Sequence, residues 1–121
     1  MDKLKIHLVA APHMNVKWNN RHMATCAYST KIYLISKILT EMGHHVVHYG
    51  VEGNDTICSE NINYISKDIW EESHGSRSEE SYHDFGNHLK SYQIGSETIA
   101  DAVNSNLTDP SKEVVLTTFG L

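Results

Sequence analysis

Proline and cysteine are scarce in this chain, with two of each among 121 residues. Cys26 and Cys58 cannot build the disulfide framework on which small secreted domains rely, and they read as free thiols. No apolar run approaches the roughly 20 residues that span a bilayer. Met1-Asp-Lys-Leu-Lys5 enters a strand pattern directly, with no signal-peptide core ahead of it. These absences point to a cytoplasmic protein with no transmembrane segment. Also lacking are the Gly-x-Gly-x-x-Gly that admits a dinucleotide pyrophosphate, the Gly-Lys-Ser/Thr phosphate loop, and the acidic strand-end cluster of phospho-receiver domains. No Cys-x-x-Cys or His-Glu-x-x-His pattern appears, so no bound metal or other cofactor is expected.

The remaining composition, 40% hydrophobic and 21% charged, is that of one globular domain spanning residues 1–121. The net charge of −5 is unevenly spread. Residues 1–50 carry six basic side chains (Lys3, Lys5, Lys17, Arg21, Lys31, Lys37) against Asp2 and Glu41, while residues 51–121 carry four against thirteen acids. A chain acidic overall has no basic stripe for nucleic acid, so no nucleic-acid partner is expected. Its positive half is where an anionic ligand would be held.

The pattern along the chain is that of an α/β protein. Leu4, Ile6 and Leu8 share one face of a first strand, with Lys5 and His7 on the other. Tyr28, Ile32, Ile35, Leu39 and Met42 recur at helical spacing, with Ile38 widening the stripe. Ser29 and Thr30 lie near the start of this helix, and Gly43 is placed to end it. A second strand follows at His45–Tyr49 and a weaker one at Ile62–Ile65. Residues 66–84 read as a polar excursion with a turn of helix at Ile69-Trp70. Helical spacing returns from Phe85 to Leu107, as one bent helix or two about Gly95, and Asp109-Pro110 stops it. Glu113–Phe119 reads as a buried strand. Strand–loop–helix–strand opens a Rossmann-like, three-layer, mostly parallel sheet, in which ligands gather at the carboxyl ends of strands.

The loop 11–25 stands at such an end and holds His13, Asn15, Lys17, Trp18, Arg21 and His22. Amides and imidazoles hydrogen-bond hydroxyls, an indole stacks on a sugar face, and cations hold phosphate, so the mixture suits a polyhydroxylated ligand. The nine histidines do not make a metal site: His45 and His48 fall on opposite faces of an extended strand and cannot chelate together.

Three strings carry a resemblance: His22-Met-Ala-Thr-Cys26-Ala27-Tyr28-Ser29-Thr-Lys31, Glu41-Met-Gly43-His44-His45-Val46, and His48-Tyr49-Gly50-Val-Glu52-Gly53. They resemble the opening of GT-B-type glycosyltransferases, in particular a bacterial and viral glycosyltransferase-like group. The likeness is strong over residues 5–53 and weaker to Gly120, where family members continue from Phe/Trp-Gly into Gly-His. It implies a truncated N-terminal half of a two-domain, metal-independent enzyme, in which this part holds a sugar or glycolipid acceptor and a C-terminal domain holds the nucleotide-sugar co-substrate. His13, Lys17, Arg21, His22 and Tyr28 would then line the acceptor side of the cleft, alongside Asn15 and Trp18. His13 or His22 would act as base or orient the acceptor, and a cation would offset leaving-group charge. Two other readings stand beside this one. One is a non-catalytic α/β interaction module that completes its sheet by self-association or with another chain, and the other is a phosphosugar- or nucleotide-binding protein.

Overall fold

The structure, a computed structural model, describes residues 3–10, 27–53, 56–74 and 88–117, without the side chains of 27–29, 72–74 and 88–92. Four strands, β1 (Lys5–Val9), β2 (His45–Val51), β3 (Glu60–Ile65) and β4 (Glu113–Thr117), form an all-parallel sheet in the order β3-β2-β1-β4. Helix α1 (Ala27–Glu41) links β1 to β2, while α2 (Lys67–His74) and α3 (His88–Asn104) lie between β3 and β4. The expected Rossmann-like α/β sheet is present, with its first two strands side by side in the same direction.

Pleating divides the strand residues between two faces. Leu8, Ala10 and Val46 pack under Ile32 of α1, with Ile35 and Leu39 beside it. On the opposite face Val9, Val47, Tyr49 and Ile65 pack with Trp70 of α2 and Val103 of α3. The layers are therefore helix, sheet and helix. Both faces of β1 and β2 are buried, as a parallel sheet with covered faces requires.

Several boundaries differ from those read in the sequence. α1 starts at Ala27, which puts Ser29 and Thr30 inside its first turn. Its stripe is narrower than the spacing implied, because Ile38 and Met42 are exposed on a flank that no described element covers. Gly43 ends the helix as expected, with φ of +90°, a conformation L side chains rarely adopt. The turn of helix at Ile69-Trp70 is an eight-residue helix whose Trp70 is fully buried. Its first turn is capped twice, since Ser66 Oγ accepts from Ile69 N–H at 3.2 Å and Glu52 Oε2 accepts from Lys67 N–H at 2.7 Å. α3 is continuous through Gly95, which is buried, so packing outweighs the propensity of glycine to break a helix.

The largest departure is β4, which is exposed along Val114–Thr117 rather than buried, because it is an edge strand whose outer side no described element covers. Its described part ends at Thr117, and Phe119 lies outside the described residues.

Candidate functional site

The chain leaves β3 and returns to the sheet beside β1, on the far side from β2. That reversal makes β1 and β4 the switch point of the sheet, and ligands of open α/β sheets bind outside the carboxyl ends of such a pair. Here those ends are Val9-Ala10 and Thr117, and Val9 lies in register with Thr117. The backbone of Ala10 is held from two sides: its N–H donates to Tyr49 O at 2.9 Å, and Tyr64 Oη donates to its carbonyl at 2.5 Å. The departure point of the 11–26 segment is thus fixed by β2 and β3 together.

His13, Asn15, Lys17, Trp18, Arg21 and His22 lie outside the described residues. Tyr28 falls in the first turn of α1, and its side chain is likewise outside the description. Of this expected constellation, the structure locates the strand end from which it departs and the helix to which it leads.

His48 is a polar group near this end that periodicity alone did not single out. It is fully buried on the α1 face, and its ring lies over Gly50, where an added Cβ would come within 2.7 Å of Cε1. Only glycine leaves room for that ring. Asn61 orients it. The Asn61 amide is set by Thr56, whose N–H donates to Oδ1 at 3.2 Å and whose carbonyl accepts from Nδ2 at 3.4 Å. With Oδ1 an acceptor, His48 Nδ1 donates to it at 3.0 Å, and Nε2 carries the lone pair in the neutral ring. His45 points to the other face, as expected, and pairs with Glu60 at 2.8 Å in the open.

A second buried polar group crosses the opposite face. His7 Nε2 donates to Glu113 Oε1 at 2.8 Å, and in the neutral imidazole Nδ1 accepts from Tyr49 Oη at 2.7 Å. Lys5 Nζ sits 3.5 Å from the same Glu113 oxygen and donates to Asn106 O at 2.5 Å. Glu113 Oε2 also accepts from Thr108 N–H at 2.9 Å and from Asp109 N–H. Burial pushes the Glu113 carboxyl up, but the His7 hydrogen bond, the two backbone donors and the Lys5 charge outweigh it and hold the group at about 2. Burial, aided by the negative charges of Glu60 and Glu113, pushes the Tyr49 phenol up to about 12. A phenol so raised is no nucleophile. Lys5 and Glu113 open their strands, away from the carboxyl ends, so this group ties β4 and the 106–109 turn to β1 and contributes nothing to a ligand crevice.

Gly50 and Glu52, both in the string that carries the resemblance, thus have local work: room for the His48 ring and the cap of α2. Among the described residues no group of three His, Cys, Asp or Glu is arranged to hold a metal ion. No described helix is long and apolar enough to cross a membrane. Compared with family models, curated proteins and solved structures, the chain matches none.

Proposed function

We propose that the chain is the acceptor-side portion of a GT-B-type glycosyltransferase. It holds a sugar or glycolipid acceptor at the carboxyl ends of β1 and β4, while a separate C-terminal domain supplies the nucleotide-sugar donor. The observation that carries this reading is the switch point: the segment bearing His13, Lys17, Trp18, Arg21 and His22 leaves the sheet at Ala10, where β4 ends alongside. His13 or His22 serves as base or orients the acceptor hydroxyl, Lys17 and Arg21 offset negative charge, and Asn15, Trp18 and Tyr28 hold the sugar. Metal plays no part in this scheme, and the protein works in the cytoplasm.

An amide-resolved NMR titration tests the site. Mono- and oligosaccharide acceptors should shift Val9, Ala10, Thr30 and Thr117 and leave Lys5 and Glu113 in place. Shifts confined to the amino ends of the strands would sink the placement, and shifts produced by nucleotide alone would favour a nucleotide- or phosphosugar-binding protein. Mixed with a donor-binding domain, the chain should gain sugar transfer, and turnover of donor by the chain alone would contradict the division of labour.

A further inference from the structure

We propose that β4 is a dimerisation edge. Two copies of the chain pair antiparallel along Glu113–Thr117 about a two-fold axis at Val115, joining two four-stranded sheets into one of eight.

The two edges of the sheet are built differently. β3 presents Glu60, Asn61 and Asn63 to solvent, and its pairing with β2 is irregular at Gly50/Val51. Charge, polarity and irregular pairing are the devices by which natural sheets keep an edge from recruiting another strand. β4 carries Glu113 at its start and Thr117 at its end, but between them Val114–Leu116 offer no charged or polar side chain and pair with β1 in unbroken register. Val114, Val115 and Leu116 are 45%, 52% and 39% exposed, and they alternate between the two faces, so neither helical layer shelters them. Pro110 and Lys112 stand before the strand and leave Val114, Val115 and Leu116 unguarded.

A second copy of this chain is the occupant the strand itself specifies. Its one charged side chain, Glu113, is turned inward to His7 and Lys5 with 2% of its surface exposed, so two copies bring no like charges together. Along any strand, residues that aim backbone groups at the open side alternate. Two identical strands therefore pair antiparallel only when one residue faces its own copy. Centring on Val115 overlaps all five residues and sets Val114 against Leu116 on the α1 face, apolar on apolar. Such a contact is self-complementary and closes at two copies. Joining β4 to the β3 edge of the next copy would bring valines to the exposed Glu60 and Asn63 and would leave a free edge at each end of the pair.

This assembly is independent of the carbohydrate reading: acceptor binding by monomer or dimer leaves it untouched, and a monomeric chain leaves that reading standing. Sedimentation equilibrium on the whole chain should give twice the 13.7 kDa chain mass. Val115→Lys places two like charges across the axis and should return a 13.7 kDa species with an unchanged circular-dichroism spectrum, because the site is exposed. Asn63→Lys on the other edge should stay dimeric. With Cys26 and Cys58 replaced by serine, the Val115→Cys variant should form a disulfide-linked pair on mild oxidation, much faster than Asn63→Cys in the same background. A monomeric parent chain, open-ended assembly, a Val115→Lys dimer, or equal cross-linking at the two edges would each overturn the proposal.

Discussion

The two faces of the sheet are made by the same strands and solve opposite problems. On the α1 face one helix lies over a small patch of Leu8, Ala10, Ile32 and Val46, and the buried histidine, His48, is held by Asn61 within one corner of the sheet. On the other face two helices bring in Trp70 and Val103, and the buried histidine, His7, spans three strands by reaching Tyr49 and Glu113. The first face depends on close local fit, and the second on a large apolar core and a polar tie across strands distant in sequence. A face of the second kind loses more when a single side chain is removed, because more partners are left without contact.

The sharpest way to break this contrast is Trp70→Ala. It should cost about 3–5 kcal/mol, read from the urea midpoint, since a fully buried indole is removed from the larger core. Next comes His7→Ala, which leaves Tyr49 Oη and the Glu113 carboxylate buried without their shared partner and should cost roughly 3 kcal/mol. Gly50→Ala probes the α1 face: the new Cβ would meet the His48 ring at 2.7 Å, and displacing it should cost about 1–3 kcal/mol.

Acid separates the faces further. Glu113 is held at about 2 against its ordinary 4.5, so as pH falls the unfolded chain takes up this proton first. Its contribution is whole above pH 4.5 and is lost as pH falls toward about 2; Glu113→Gln should flatten that limb of a stability–pH curve. At the small end, Ile38→Ser on the exposed flank of α1 should change stability by no more than about 0.5 kcal/mol.

Much of the chain's local structure was legible from spacing. The α1 helix, the Gly43 stop, the β2 strand and the opposed directions of His45 and His48 all follow from the periods of helix and strand, which each residue carries with it. The burial of Trp70 leaves little trace in the sequence, because its neighbours Lys67, Asp68 and Glu71 are polar and one buried indole makes no period in eight residues. For the candidate site, the sequence supplied the residue types of the 11–26 segment, and the described structure adds the anchored strand end from which that segment leaves.

By itself, then, the sequence determined the parallel α/β character of this protein and the positions of its first helix and first two strands, since hydrophobic period and turn residues act over a few neighbours. Only the tertiary structure decided that β4 joins β1 rather than β3, and that Val114 to Leu116 lie open at an edge instead of inside. It alone brought His7 to Tyr49 and Glu113, 42 and 106 residues away. Strand order and register arise from contacts between distant segments, and no local pattern in a strand records which neighbour it will find.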